Sequence, residues 1–442
     1  MYLTNGSSIT ARPIVGVYLG SGSMSISEIR DHERIQKLVE ANKEARTTLT
    51  FFTSKDVDFT GRQISGAYFD EADRKWKRNR FPFPDVIYVR GGGSGTDELL
   101  KKFDDLGIKR INPIHAFNKG ELYNYLSKDK YLRAHLPQTI PVKTMSDVRS
   151  TVLKLRKVYV KAVRGRKGLQ VMRVDTLPSK SGYLYSYSII DKLVRRKTHS
   201  MDGLLRAVRS FFGDRTLIVQ KAIELVRVNN SRLVDFRAEV QRDKNNEIDI
   251  VGVCARVGKK YSPITTHSTA YRYEDYLYKL YPRYTSKQIR RLKNKIDDFL
   301  RQVYLAVEKN YGRFGEIGID FALDTKGKLW LIECNAQSAK VSIAKAYGNK
   351  SNRVFLNPLL YAKRIAGRSA NPPSVPRSQG ARGGRSGNPG SRSSYANRSR
   401  LNKSTYSNRS SYNNRSTAAN PGSLINPGNL NNPSNPLGNW LL

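Results

Sequence analysis

The chain has 442 residues, with 78 Lys plus Arg against 37 Asp plus Glu and a formal net charge of +41. That excess favours polyanionic partners such as nucleotides, nucleic acid, anionic polymers or acidic proteins, and it says nothing about fold. Two cysteines, Cys254 and Cys334, argue against a disulfide framework or a cysteine-type metal site, and no apolar run approaches membrane-spanning length.

Residues 1–12 are polar, with no apolar signal core, and read as a flexible N-terminus of a soluble intracellular protein. Residues 13–112 alternate strand and helix patterns. Strands are expected at 14–19, 47–52 and 86–89, and a helix with a charged outer face at 26–42. Such alternation predicts a parallel, Rossmann-like sheet. Arg90 and the run Gly91-Gly92-Gly93-Ser94-Gly95 then lead into a helical pattern at 97–103. A glycine loop there can cradle a phosphate at a helix start. It lacks the Lys-Ser/Thr of a P-loop and the dinucleotide spacing, so a tight strand-to-helix turn is the expected reading. Farther on, 116–136 reads as helical, 158–161, 217–220 and 248–253 as strands, and 285–309 as a long charged helix.

Composition shifts sharply near Gly367. From there to Leu442 the chain is Ser, Asn, Gly, Pro and Arg, with ten basic and no acidic residues, so +31 remains on the body before it. Such a segment buries too little apolar surface to offset its ordering entropy, and disorder is expected. It reads either as a solvated extension or as an arm for assembly or polyanion binding.

The most informative stretch is 314–339, two apolar strands around the Gly-containing turn Thr325-Lys326-Gly327-Lys328. Aligning Asp324 with Leu329 places Asp320 opposite Glu333. Side chains alternate faces along a strand. One face then carries Ile317, Ile319, Phe321, Leu323, Trp330, Ile332 and Cys334, and belongs to a core. The other carries Gly318, Asp320, Ala322, Leu331, Glu333 and Asn335. Two carboxylates on one face suit either solvent or a cation, and the neighbouring Gly and Ala favour the cation. Oxygen-only ligands suit magnesium, which shares its ligands with nucleotide phosphates.

Cations that could grip phosphates lie elsewhere. Lys161 ends a strand before the basic loop 162–168. Arg237 alternates with Asp235 and Glu239 on one strand face, a pattern that also describes a plain salt-bridged arginine. Lys119 stands near a helix start, where a solvated lysine is the ordinary reading.

With these residues assembled, the chain resembles the ATP-grasp superfamily and, within it, the YheC/YheD-type family associated with the endospore coat. The resemblance covers about residues 14–366 and is most specific at Gly318-Ile319-Asp320-Phe321 and at Glu333-Cys334-Asn335. It implies an α/β ATP-grasp fold. A Rossmann-like pre-ATP-grasp domain would span 13–112 and the ATP-grasp domain 113–366, with a small lid subdomain at about 140–220 and a disordered basic tail at 367–442. It implies ATP and magnesium as cofactors, with Asp320, Glu333 and Asn335 as metal ligands. Lys119 and Lys161 would contact the nucleotide, and backbone groups at the hinge of Gln220, Lys221 and Ile223 would read the adenine edge. Asp235 would face the ribose, and Arg237 and Arg256 would be the catalytic cations.

Three segments depart from the family pattern. Lys161-Ala162 replaces the usual Lys-Pro. The loop after Arg256, which includes His267, lacks the usual Asn and paired glycines near the acceptor end. Ala336-Gln337-Ser338 replaces a frequent Pro-Gly. The resemblance implies an ATP-dependent carboxylate–amine or thiol ligase acting through an acylphosphate on unidentified carboxylate and amine substrates. Its alternative is a coat-assembly protein that keeps the fold with weak or no catalysis. Either would start in the cytoplasm of a sporulating cell and end in the spore coat, where the tail could meet coat proteins or anionic polymers. Nucleic-acid binding by the tail is a weaker third reading, because Arg-Gly-Gly occurs there only at 382–384.

Overall fold

A computed structural model of the chain describes residues 12–164, 170–189, 192–265 and 269–367. Residues 1–11 of the expected N-terminus, the glycine part of the basic loop at 165–169, His267 and the tail from 368 lie outside the described residues.

The first layer is built on β1 (Ile14–Tyr18), α1 (Ile26–Arg30), α2 (Glu33–Ala45), β2 (Thr48–Phe52), β3 (Val57–Asp58), β4 (Gln63–Asp70), β5 (Lys75–Pro82), β6 (Val86–Val89), α3 (Thr96–Asp105) and β7 (Lys109–Arg110). β1 pairs in parallel with β2 and β6, and β6 with β7. The strand order is β3-β4-β2-β1-β6-β7, with β5 on β4. The expected parallel sheet is therefore present but extended by the antiparallel strands β3 to β5. β5 reads KWKRNRFP, an exposed edge whose cations guard it against further pairing, so it carries no apolar alternation. The expected helix at 26–42 is two helices. Ser25 and Glu28 form a capping box on the first, and the chain turns at Asp31-His32 before the second.

β1 sits where the strand order reverses, with β2 to one side and β6 to the other. The carboxyl ends of β1 and β6 thus form the switch point of this sheet, the usual place for a ligand crevice. There the glycine run meets the loop after β1. A Cβ on Gly91 would lie 1.8 Å from the Leu19 carbonyl oxygen, so only glycine permits that approach.

Next come α4 (Lys119–Ser127) and α5 (Lys130–Arg133). One helix was expected over 116–136. Asp129 interrupts it by accepting the Tyr131 and Leu132 amides at 2.9 Å, which starts a new helix.

A second, antiparallel sheet follows, formed by β8 (Thr139–Val142), α6 (Met145–Leu155), β9 (Lys157–Ala162), β10 (Val171–Thr176), β11 (Tyr183–Ile189), β12 (Lys192–Thr198), α7 (Met201–Phe212) and β13 (Leu217–Lys221). Its order is β12-β11-β10-β9-β13-β8. Val158, Val160, Met172 and Val174 pack beneath the apolar faces of α6 and α7. Alternation then puts Tyr159, Lys161 and Arg173 on the opposite face.

The third sheet contains β14 (Arg227–Val228), β15 (Arg232–Arg242), β16 (Ile248–Val257), β17 (Thr269–Arg272), β18 (Glu316–Leu323) and β19 (Leu329–Asn335), in the order β17-β16-β15-β18-β19 with β14 on β15. Between β17 and β18 run α8 (Tyr273–Leu280) and α9 (Ser286–Tyr311); after β19 come α10 (Val341–Tyr347) and α11 (Arg353–Ala366). The Thr285–Gln288 capping box starts α9, whose stripe Ile289, Leu292, Ile296, Phe299 and Val303 covers one face of the sheet. Large side chains such as Phe236, Phe299 and Phe321 are fully buried there, each contributing about 1.5–3 kcal/mol by leaving water. α11 shares a core with α2 through Phe355, Leu359 and Ala362 against Leu38 and Val39. Among the described residues, no helix is long and apolar enough to cross a membrane.

Candidate functional site

The face of the third sheet turned away from α9 is polar. Pairing sets its rows. Cys254, Arg237, Asp320 and Glu333 stand side by side across β16, β15, β18 and β19, and Gly252, Glu239, Gly318 and Asn335 form the next row. The expected opposition of Asp320 and Glu333 is therefore present. The alignment near the turn differs by one residue, because Leu323 rather than Asp324 pairs with Leu329. A bulge beside Asp320 absorbs the difference and leaves Ile332 as the extra residue. Leu331, expected on the acidic face, is buried in the core beside Phe321, and Trp330 lies opposite Ala322. The Tyr123 hydroxyl of α4 donates to the Ile332 carbonyl at 2.6 Å and to that of Leu331 at 3.1 Å, which satisfies the bulged backbone.

Two partly buried arginines cover Asp320. Arg237 donates from Nε and, at 2.9 Å, from Nη2 to the two carboxylate oxygens, and Arg256 Nη2 lies 3.2 Å from Oδ1. Burial alone pushes the Asp320 carboxyl up, but the Arg237 and Arg256 charges outweigh it and hold the group below the ordinary range. Asp235, expected to face ribose, is here the counter-ion of Arg256, accepting from Nε at 2.7 Å and from Nη2 at 2.6 Å, with Thr265 Oγ1 also donating to it.

Glu333 is more open. Its side chain is 30% exposed, and Lys119 Nζ lies 3.4 Å from Oε1. Asn118 caps α4, and the Lys119 amide donates to the Val163 carbonyl at 3.2 Å, which ties the helix start to the end of β9. Lys161 donates to Gln220 Oε1 at 2.6 Å, and Gln220 Nε2 donates to Thr139 Oγ1 at 2.9 Å. Burial is the main cause that brings the Lys161 ammonium down to about 8; Glu333 opposes the shift, Lys119 adds to it and Asp320 opposes it. Lys119, Lys161, Glu333 and Asp320 are thus electrostatic neighbours. At the end of β13 the Lys221 side chain is exposed and its amide donates to Gln138 O at 2.8 Å, while the Ile223 carbonyl accepts from the Leu225 amide at 2.9 Å.

Sequence reasoning missed the clasp around Ser338. Its hydroxyl donates to Glu239 and accepts from Arg237 Nη1 at 3.1 Å, and its carbonyl accepts from Arg90 Nη2 at 2.6 Å. The loop that replaces Pro-Gly thereby joins Arg237 to the first sheet. The signal available was Glu239 alternating with Asp235 and Arg237, a buried acid whose ion pair with Arg237 on its own strand is long at 4.0 Å. Ser338 fits because Gly318 lies beneath it: a Cβ at Gly318 would meet Ser338 Cβ and Oγ at 2.8 Å and Arg237 Nη1 at 3.1 Å. Gly318→Ala should therefore destabilise the fold by about 1–3 kcal/mol. Chemical denaturation checks this, and an unchanged midpoint would contradict the clasp.

Asp320, Glu333 and Asn335 offer two carboxylates and a carboxamide, a donor set that suits a hard cation. Among the described residues Asn335 Nδ2 is buried without a hydrogen-bond partner. The oxygen atoms of these side chains are of the type that a magnesium ion takes. Among the described residues no group of three or more His, Cys, Asp or Glu is placed to hold a metal.

Three sheets with this face are the architecture of an ATP-grasp protein. Residues 107–365 match the family described as YheC/D like ATP-grasp, and the chain belongs to that family. Endospore coat-associated protein YheD of Bacillus subtilis (strain 168) is 20% identical over 338 residues, spanning 74% of this chain and 73% of that protein. Endospore coat-associated protein YheC of the same organism is 20% identical over 351 residues, spanning 76% of this chain and 93% of that protein. The solved structure of D-alanyl-alanine synthetase A from Vibrio cholerae O1 biovar eltor str. N16961 is 15% identical, covering 80% of this chain and 99% of that one with a TM-score of 0.47.

Proposed function

We propose that the polar face binds ATP with magnesium and that the chain is a ligase joining a carboxylate to an amine or thiol. The observation that carries this reading is the convergence of Asp320, Glu333 and Asn335 on a bulged ribbon, ringed by Lys119, Lys161, Arg237 and Arg256 from four other elements. Asp320, Glu333 and Asn335 would hold magnesium, which when bound supplies charge neutralisation on phosphate oxygens. Lys161 and Lys119 bring positive charge to the triphosphate. The hinge at Gln220, Lys221 and Ile223 would run beside the adenine, with the Lys221 amide and the Ile223 carbonyl already bonded within the chain, and Asp235 keeps Arg256 oriented.

In this reaction class a substrate carboxylate oxygen takes the γ-phosphoryl group and ADP leaves. An amine or thiol then attacks the acyl carbon, and phosphate leaves. No side-chain nucleophile is needed. The chain contributes position and charge, with Arg237 and Arg256 near the developing anion. The test is ADP release on addition of candidate amino acids and peptides with ATP and magnesium. Release unaffected by every acceptor, or equal in wild type and Glu333→Ala, overturns the ligase reading.

Lys161 makes the nucleotide claim testable by pH. Its ordinary value lies well above the value of about 8 it takes when buried here. A triphosphate favours the charged form, so ATP affinity should fall as pH rises through about 8, by up to about tenfold per unit, and binding near pH 8 should take up a proton. Calorimetry in buffers of different ionisation enthalpy reads that proton. An affinity flat from pH 7 to 9.5 would remove Lys161 from the phosphate site.

A second reading, a coat-assembly protein with weak or no catalysis, is favoured by the pairing of Asp235 and Asp320 with arginines. The relatives named as endospore coat-associated support a coat destination for either reading. Truncation after Ala366 separates the tail's part: assembly at the coat should be lost while nucleotide binding persists.

A further inference from the structure

Arg237 reaches into both rows of the polar face. Its Nε and Nη2 donate to Asp320 in its own row, while Nη1 donates to Ser338 Oγ at 3.1 Å, above Gly318 of the next row. Gly318 supplies the space, since a Cβ there would stand 3.1 Å from Nη1. Beside Gly318 on β15 stands Glu239, fully buried, with Oε1 4.0 Å from the same Nη1. Ser338 donates to that oxygen, so one hydroxyl joins the acid to the guanidinium.

The second oxygen, Glu239 Oε2, is buried and among the described residues has no hydrogen-bond partner. Burial pushes this carboxyl up against the opposing Lys340 and Arg237 charges, which marks a group short of positive partners. An oxygen left so costs free energy unless something meets it in another state of the protein. The neighbouring acids are already served. Asp235 accepts two N–H groups of Arg256 and the Thr265 hydroxyl, and Glu316 accepts from Arg90 and Lys340. Among the described carboxylates, Glu239 is the one with a buried oxygen left open.

A divalent ion at Asp320 would add a cation to a carboxylate that Arg237 already neutralises, and like charges at contact distance repel. We propose that Glu239 is the receiving carboxylate for Arg237: when a divalent ion takes Asp320, the guanidinium turns about its Ser338 contact, leaves Asp320 and pairs with Glu239. Ser338 can serve as the pivot because Arg90 holds its carbonyl at 2.6 Å. A guanidinium carries five N–H groups, so Arg237 keeps donors for a phosphate oxygen while it holds Glu239. Arg256 needs no second acid, because Asp235 already balances it. Glu239 is thus a positioning residue that touches neither nucleotide nor metal. This rests on the magnesium site of the ligase reading.

The test is calorimetric titration of ATP into full-length wild type, Glu239→Gln, Arg237→Gln and the double variant, with magnesium and with the metal chelated, and urea denaturation of each sample. Glu239→Gln should weaken magnesium-dependent ATP binding about tenfold and leave metal-free binding unchanged or tighter. Plain electrostatics gives the opposite sign with magnesium, because an acid near the phosphates has been removed. The weakening should vanish in the Arg237→Gln background, whereas it would persist there if Glu239 ligated the ion itself. A wild-type crystal structure with magnesium and a non-hydrolysable ATP analogue reads the same move without a substitution, and decides the matter if a variant fails to fold. Arg237 should lie on Glu239 and off Asp320.

Arg237 still on both Asp320 oxygens in that structure would overturn the proposal. So would a Glu239→Gln loss that is equal with and without metal, a magnesium-dependent affinity as tight as wild type, or a loss that survives removal of Arg237. Wild type that responds to magnesium while Glu239→Gln matches it removes the receiving role alone. Wild type whose ATP binding ignores magnesium removes the metal site of the ligase reading, and this proposal with it.

Discussion

Glu333→Gln should weaken magnesium-dependent ATP binding by about 100-fold or more, while the folding midpoint moves little. The two effects separate because of where Glu333 sits. Its side chain is part-exposed and its ion pair with Lys119 is loose at 3.4 Å, so it is weakly tied into the fold, and the buried Lys161 that it supports can shed its proton when the carboxylate is lost. The amide retains the shape but not the charge that a divalent cation needs. Calorimetry with ATP at fixed magnesium measures the first effect and chemical denaturation the second. An affinity within a few-fold of wild type would mean that Glu333 only balances Lys119.

Asp320→Ala should behave in the opposite way, losing about 3–5 kcal/mol of folding stability. Asp320 is buried and neutralises parts of two partly buried guanidinium groups, and alanine would leave Arg237 without its main partner. Loss of ATP binding in this variant therefore says little about metal ligation unless folding is measured too. The pH dependence follows from the same pair. The folded carboxyl lies below its unfolded value, so its contribution is present above about pH 4 and is lost as pH falls through the folded value. Urea midpoints measured from pH 6 to pH 2 should fall less steeply at the acid end in Asp320→Asn than in wild type. Parallel acid limbs would show that the arginines do not hold this carboxylate.

The core of the site could be read from the chain because strand alternation around a glycine turn is a strong local signal. It put Asp320 against Glu333 and placed Asp235, Arg237 and Glu239 on one face, as the pairing of β15, β18 and β19 does. The bulge could not be read. Leu331 and Ile332 are both apolar, so either can serve the core, and no glycine or proline marks the extra residue. The break at Asp129 was hidden for a related reason, since Lys128-Asp129-Lys130 fits an exposed helix face until the carboxylate caps the next turn. The β4–β5 hairpin escaped because its outer strand is charged on both faces. The Ser338 clasp joins residues 99, 101 and 248 positions apart, and such contacts have no local signature.

Arg237 and Arg256 both contact the Asp320 carboxylate. In this structure they take the neutralising role on Asp320 that the ligase reading gives to a cation. A nucleotide with magnesium would then share or replace guanidinium contacts, and the free energy of that exchange lowers the net affinity. Binding should therefore depend strongly on magnesium.

Titration of ATP into the full chain, once with magnesium and once with the metal chelated, tests this most directly. One nucleotide per chain should bind, far more tightly when the divalent ion is present. No binding in either condition, or the same affinity in both, would contradict it.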